Sequence, residues 1–258
     1  MKKFALKGAT LAALFSGSFA GSAVAMDIDE MGCPAMDTRL VVMGDSLADG
    51  LWGSLYRVFA RCDNMDVVRL TKVSDGLART DADAWMDRFT RATPADDDAP
   101  VTDIVIVQLG ANDITFLRDG SKRASFGTPE WTAAYKKRAA KLANGLSGRA
   151  SAVLWFGLPI VGSTKLEPSY QEISGLLQGA LKGTKASYVD IHGLTKFGAE
   201  NFVMNAKFDG RTVQMRATDK VHFTTIGYDL VLGSITKELG RLFAAKDRTV
   251  VMQSVVLQ

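Results

Sequence analysis

Two histidines occur among the 258 residues, so a side chain able to act as a base near neutral pH is scarce in this chain. One of them, His222, follows Asp219 by three positions. At that spacing a carboxylate reaches the ring, fixes its tautomer and steadies the imidazolium that forms when the ring takes a proton. Such a pair serves a hydroxyl nucleophile, because serine is inert until a base removes its hydrogen. Ser46 fits that part, since it follows Gly44-Asp45 where an apolar strand gives way to a helix. Its backbone N–H there is a free donor favoured by the helix dipole. Acyl transfer also needs donors aimed at the oxyanion of the tetrahedral intermediate. Gly76 lacks a Cβ, so its N–H can approach closely, and Asn112 in Gly110-Ala-Asn-Asp113 brings a side-chain amide. Singly these fragments are commonplace: Gly-Asp-Ser is more often a capped turn, Gly-Ala-Asn-Asp a polar loop, Asp-x-x-His a helix cap. Their joint occurrence in this order, at strand ends, is much harder to obtain by chance and fits nucleophilic attack on an acyl carbon.

Residues so far apart need a scaffold that brings them together. A short apolar strand over 39–43 runs into Ser46, and Leu51, Leu55, Val58 and Phe59 then share one helical face. A second strand over 66–70 leads to Ser74-Asp75-Gly76, and a helix over about 81–91 carries Trp85 and Phe89 four residues apart. The acidic, proline-bounded stretch 94–100 reads as a surface loop. The strand 103–109 is a continuous apolar run, as expected of a parallel strand covered on both faces. After it the pattern predicts a basic loop (118–128), a helix (about 129–146), a strand (152–156), a helix (about 170–181), a strand (186–191) and a last helix (about 225–243). Strands alternating with helices predict a parallel α/β sheet, with no internal repeat and no domain boundary. Ligands bind outside the carboxyl ends of strands in such sheets. The loops of Ser46, Gly76 and Asn112 should therefore converge on one crevice, with Asp219-Lys-Val-His222 just before the last helix.

Together, Gly44-Asp45-Ser46-Leu47, Gly76, Gly110-Ala-Asn112-Asp113 and Asp219-x-x-His222 resemble the four ordered blocks of the SGNH (GDSL) hydrolases. The resemblance spans about 39–243. It is nearest to the exported bacterial branch long labelled a domain of unknown function, in Gly44-Asp-Ser-Leu-Ala-Asp-Gly50, Asp75-Gly-Leu-Ala-Arg79, Leu154-Trp-Phe-Gly-Leu-Pro159 and Met215-Arg216. It implies a flavodoxin-like three-layer sandwich around a five-stranded parallel sheet, Ser46 as nucleophile, and Ser46, Gly76 and Asn112 as oxyanion-hole donors. Members are esterases, lipases, thioesterases and carbohydrate O-acetylesterases. Two positions depart from the pattern. Asp75 stands where a small Ser is frequent and puts an anion near the oxyanion hole, and Lys220 stands where Gly is common.

The chain's ends bound its setting. Lys2, Lys3 and Lys7, the apolar run 11–19 and Ala23-Val24-Ala25 form a secretory leader over residues 1–25. That run is far short of the about 20 residues a membrane span needs. The remaining 26–258 reads as a single domain, released to the periplasm or the cell exterior. The leader holds three of the 31 Lys and Arg, leaving 28 basic residues against 28 acidic. The near-neutral balance argues against a nucleic-acid partner or stable membrane association. Outside the cytoplasm disulfides persist, and Cys33 before the first strand can meet Cys62 at the end of the helix that returns toward that strand's start. Such a bond would contribute roughly 3 kcal/mol in the chain-entropy account. No C-x-x-C pair or histidine cluster suggests a metal, and the chemistry needs no cofactor.

These features predict a serine ester hydrolase, an O-acetylesterase acting on cell-envelope or secreted polysaccharide through an acyl-serine. Its substrate would be an acylated carbohydrate or small ester. Two other readings share the sequence: an O-acetyltransferase of polysaccharide or peptidoglycan, and a weakly catalytic glycan-binding accessory of polysaccharide export. Arg79 and Arg216 are candidates to rim the pocket and hold a polar substrate, or else to serve surface or structural ion pairs. Arg118, Lys122 and Arg123 form a solvated loop placed to act as a substrate rim. Trp52, Trp85 and Trp155 read as core, His192 as a structural residue closing the fifth strand, and the apolar tail 250–257 as an added strand or an unstructured end.

Overall fold

The computed structural model describes residues 32–94 and 102–244. The leader, most of the 94–100 loop and the 250–257 tail lie outside these residues. The chain opens with β1 (Thr38–Gly44), α1 (Ser46–Phe59), β2 (Met65–Thr71), α2 (Ala82–Ala92) and β3 (Thr102–Gln108). A hairpin of β4 (Leu117–Asp119) and β5 (Lys122–Ala124) follows, then α3 (Pro129–Ser147), β6 (Ala152–Phe156), α4 (Glu167–Leu181) and β7 (Ser187–Val189). A second hairpin, β8 (Asn205–Phe208) and β9 (Arg211–Gln214), precedes α5 (Thr225–Gly233) and α6 (Thr236–Ala244).

Five strands form one parallel sheet in the order β2-β1-β3-β6-β7. Helix α1 packs on α5, while α2, α3 and α4 pack side by side, giving the two helical layers of a three-layer sandwich. With both faces covered, the central strands have no polar side to show. Leu40 to Met43 of β1 and Ile104 to Val107 of β3 are entirely buried, which is why they read as unbroken apolar runs. The strand order reverses direction between β1 and β3, and a crevice opens at such a switch point beyond the carboxyl ends of the strands. Ser46 and Gly110 are the residues that leave these two strands.

Three elements differ from the sequence reading. The last helix is two helices, because the hydroxyls of Ser234 and Thr236 take the carbonyls of Val231 and Gly233 (2.5 and 2.9 Å) and compete with the helical ladder. The basic loop contains the β4–β5 hairpin, and the β8–β9 hairpin was not foreseen. Cys33 and Cys62 are joined by a disulfide that closes 29 residues around β1 and α1. Among the described residues no helix is long and apolar enough to cross a membrane, and no group of three or more His, Cys, Asp or Glu could hold a metal ion.

Candidate active site

The position of Ser46 is set by Asp45. It caps α1, its extended backbone (φ −92°) turning the chain and its carboxylate accepting the N–H of Leu47 at 2.9 Å. An aspartate satisfies the free amides of a first helical turn and suits the positive end of the dipole. Ser46 is then the first helical residue. Four positions on, Gly50 leaves room for the ring of Tyr228, whose carbon lies 2.0 Å from where a Cβ would be. Helix α1 is thereby seated against α5, the helix that follows His222.

The histidine sits on a tight loop between β9 and α5. Arg216 and Phe223 form an isolated bridge across it, and Ala217 N–H donates to the His222 carbonyl at 2.9 Å. At the tip Lys220 adopts φ +62°, the left-handed region that glycine occupies without strain. This accounts for the glycine usual there in the resembling sequences. Asp219 Oδ1 accepts the N–H groups of Val221 and His222 (2.9 and 3.0 Å), and Oδ2 lies 2.6 Å from His222 Nδ1. Burial raises the Asp219 pKa, but the bonds from the imidazole and from these amides outweigh it and hold the carboxyl below its usual range. An ionised Asp219 accepts a hydrogen bond from Nδ1–H, which holds the ring in the tautomer whose Nε2 lone pair is free. Nε2 faces Ser46 Oγ at 2.7 Å, within reach for proton transfer.

The other donors are carried by two loops that buried carboxylates lash to the first. Asp45 Oδ2 accepts the N–H of Ala111 at 3.2 Å. Asp113 accepts the N–H of Leu77 and Ala78 (3.1 and 2.9 Å) and the hydroxyl of Tyr135 (2.8 Å). Burial pushes Asp45 up to about 7 against its amide bonds, with the charge of Asp113 adding to the rise. Burial likewise carries Asp113 up to about 6 despite its three donors. Neither aspartate was given a role from sequence. The cap signal at Asp45 was there to be read, whereas the partners of Asp113 lie 22 to 36 residues away.

Gly76 is glycine for a reason other than substrate approach: a Cβ there would lie 2.1 Å from Asp113 Oδ1. Its N–H is engaged by Asp75 Oδ1 at 2.9 Å, and Asn112 Nδ2 donates to the Asp75 carbonyl at 3.1 Å. The Asp75 carboxyl, also bonded by Thr80, is paired with Lys72 and Arg88 (3.1 and 3.2 Å). Burial works against these partners, yet Thr80, Gly76, Lys72 and Arg88 together hold the carboxyl below its usual range. The anion expected near the oxyanion hole is thus neutralised locally.

Arg216 does not rim a pocket. It is wholly buried, donating to the carbonyls of Ile160, Val221 and Thr195 at 2.6, 2.9 and 3.2 Å with Phe223 3.8 Å beneath it. Burial drives its pKa well below the usual guanidinium value, down to about 9. The side chain is a clamp between the His222 loop and the segments after β6 and β7. Arg79 is exposed and lines a separate groove with the β4–β5 hairpin and α3. His192 Nε2 pairs with Glu167 Oε1 at 2.6 Å, fastening the end of β7 to α4. Trp85 and Trp155 are core residues, while Trp52 is half-buried with Arg69 over its ring.

With this geometry the chain can be set beside known proteins. Residues 39–238 match the family described as Protein of unknown function (DUF459). The fold is that of the SGNH/GDSL hydrolases. It is similar to a lipase/acylhydrolase from Enterococcus faecalis (TM-score 0.51, 17% identity, 79% of this chain and 95% of that one). It is also similar to Axe2, an acetylxylan esterase from Geobacillus stearothermophilus (0.51, 14%, 82% and 98%). A third likeness is to LAE5, an α/β hydrolase from the metagenome of Lake Arreo, Spain (0.52, 12%, 79% and 96%). At these identities the likeness is one of fold. No curated protein resembles the chain closely enough to count as a match.

Proposed function

The chain belongs to the DUF459 family, which is associated with the SGNH/GDSL hydrolases, and we propose that it is a serine ester hydrolase with Ser46, His222 and Asp219 as its catalytic triad. The observation that carries this reading is the relay from Ser46 Oγ to His222 Nε2 (2.7 Å) and from His222 Nδ1 to Asp219 Oδ2 (2.6 Å). Ser46 Oγ attacks the ester carbonyl carbon as its proton passes to Nε2. The carbonyl π pair moves onto oxygen, which the Ser46 N–H and the Asn112 amide stabilise; the Gly76 N–H, bonded to Asp75 Oδ1, joins them only by leaving that carboxylate. Asn112 carries two amide hydrogens, so its bond to the Asp75 carbonyl leaves one available. Collapse expels the alcohol, which takes the proton from Nε2, and an acyl-serine remains. Water, deprotonated by the same nitrogen, then releases the acid and restores Ser46.

The substrate in this reading is a short acyl ester, above all acetyl, on a cell-envelope or secreted polysaccharide. The leader supports an enzyme working in the periplasm or outside the cell, and the disulfide accords with that setting. The acetylxylan esterase among similar folds makes an acetylated glycan the first class to try. The test is an acyl-length series of nitrophenyl esters, run beside acetylated polysaccharides with and without a sugar acceptor. Each methylene held in an apolar pocket contributes about 0.8 kcal/mol, or about fourfold in kcat/KM. A profile falling from acetyl onward supports the proposal, and one climbing to octanoyl sinks the acetyl preference. Ser46→Ala and His222→Ala should each remove most turnover, and the double variant should be little worse, since residues acting as one unit are not additive. Near-normal turnover in Ser46→Ala would overturn the nucleophile assignment.

A further inference from the structure

A groove of about 460 Å³ lies between the β4–β5 hairpin, the segment after Gly76 and helix α3, and its wall carries Arg79, Arg118, Lys137, Arg138 and Lys141. Three carboxylates share that wall, Asp81, Asp83 and Asp119, and one of them is neutralised by a cation. Asp83 pairs with Lys141 at 2.6 Å, and Asp81 caps α2 by accepting the N–H of Ala84 at 2.9 Å. Arg138 gives its guanidinium to the carbonyls of Leu77, Ala78 and Arg118, which are neutral and leave its charge uncompensated. Among the described residues no carboxylate pairs with Arg79, Arg118 or Lys137. Arg118 also stands directly opposite Arg123 across the hairpin ladder, an arrangement of like charges that costs stability. With Asp83 and Lys141 paired, four cations face two carboxylates, Asp81 and Asp119, in a cleft of small-ligand size.

The rest of the lining narrows the ligand. The apolar members are Ala82 and Ala134, without an aromatic ring. The wall thus offers no platform for stacked nucleobases and no sleeve for an acyl chain. Guanidinium groups present planar forks that match carboxylates. The groove also shares a strap with the candidate active site. Leu77 and Ala78, whose carbonyls Arg138 holds, give their N–H groups to Asp113 just beyond Gly76.

We propose that this groove is a subsite for a carboxylate-bearing glycan, so that the chain binds acidic polysaccharide rather than neutral xylan-like chains. As a statement about binding it is independent of the ester chemistry. As a statement about the substrate it rests on the hydrolase reading above. The experiment is titration calorimetry of the full Ser46→Ala protein with an oligogalacturonate, its fully methyl-esterified form, a neutral xylo-oligosaccharide of equal length and a single-stranded oligonucleotide. Expected are binding of the oligogalacturonate alone, and at least about tenfold weakening between about 50 and about 200 mM salt. Arg118→Glu with Lys137→Glu should weaken it at least about tenfold, whereas Lys185→Glu, the same kind of charge reversal on an exposed residue elsewhere, should not. Equal binding of the methyl-esterified or neutral chain, no binding at all, an oligonucleotide bound as tightly, or an equal loss in Lys185→Glu would each overturn the proposal. The methyl-ester comparison stands even if the double variant fails to fold. Wild-type turnover of nitrophenyl acetate is read separately: its absence would refute the hydrolase reading and leave the groove standing.

Discussion

Replacing Arg216 by Met asks whether a buried cation is there for stability or for catalysis. The side chain is wholly enclosed and has no carboxylate at ion-pair distance among the described residues. A fall in pKa from the usual guanidinium value to about 9 means that its charged form is about 5 kcal/mol less favourable than in water. Against that cost stand three bonds to the carbonyls of Ile160, Val221 and Thr195. Bonds from a cation return about 1.5–3 kcal/mol each, or roughly 5–9 in all. The two sums nearly offset, so Arg216→Met, of similar length and uncharged, should cost between zero and about 4 kcal/mol and still fold. Catalysis should suffer more, because Val221 adjoins His222 and its carbonyl is one of the three anchors. A base displaced by about 1 Å can lose about 10²-fold in rate. Expected with a soluble acetate ester is a kcat lower by about 10- to 100-fold, a KM little changed, and partial rescue by Lys, which supplies donors without the planar fork. Near-ultraviolet circular dichroism and urea unfolding establish that the variant is folded. A folded Met variant with kcat within about twofold of wild type would refute the positioning role.

Other outcomes follow from the same geometry. Asn112→Ala should lower kcat by about 10²–10³ with little change in KM, as loss of one oxyanion donor does; an unchanged kcat would make Asn112 a loop residue that merely bonds Asp75. Burial raises Asp45 to about 7 and Asp113 to about 6 from 3.8. Their contribution is therefore fully present below about pH 4 and is lost as pH rises through about 6 to 7. Thermal melts should show Tm falling between about pH 4 and about pH 7, with a shallower fall in Asp45→Asn, which keeps the cap. An unaltered slope in that variant would mean that Asp45 does not titrate there. Replacing Cys33 and Cys62 by Ser opens a closure of 29 residues and should cost about 3–4 kcal/mol in urea unfolding. A loss under about 1 kcal/mol would show that the denatured chain is little constrained by the bond.

What was legible in the sequence was local. Ser46 announces itself by the apolar run before it and the amphipathic helix after it, and Asp219 and His222 lie within one turn. The parallel α/β class followed from the alternation of strands and helices, since β1 and β3 are apolar on both faces. What stayed hidden depends on distant partners. Arg216 is equally plausible as rim or clamp until the carbonyls of Ile160 and Thr195, 56 and 21 residues away, are seen around it. Gly76 was assigned to close approach of substrate, yet it is the Asp113 carboxylate that forbids a side chain there. The hairpins had a signal: Asp119-Gly120 and Asp209-Gly210 are turn pairs, with φ +60° at Gly120 and +47° and +71° at Asp209 and Gly210. Reading strands mainly from apolar runs passes over both, because β4, β5, β8 and β9 are largely exposed.

The bond between Ser46 and His222 joins residues 176 positions apart, and the ends of the fold meet at the far end of α1. Phe59 of α1 packs edge-on against Phe243 of α6, and the N–H of Ala35 reaches the carbonyl of Phe243 at 3.3 Å. Nucleophile and base therefore become partners only when the last helices dock on the first, a closure over nearly the whole loop length and among the slowest kinds of contact to form. A chain not yet complete would carry an exposed Ser46 with no base beside it. Ester cleavage would begin only once residues 215–243 had arrived and folded, so turnover marks the completion of the fold and should return after the sheet's circular dichroism in a refolding time course.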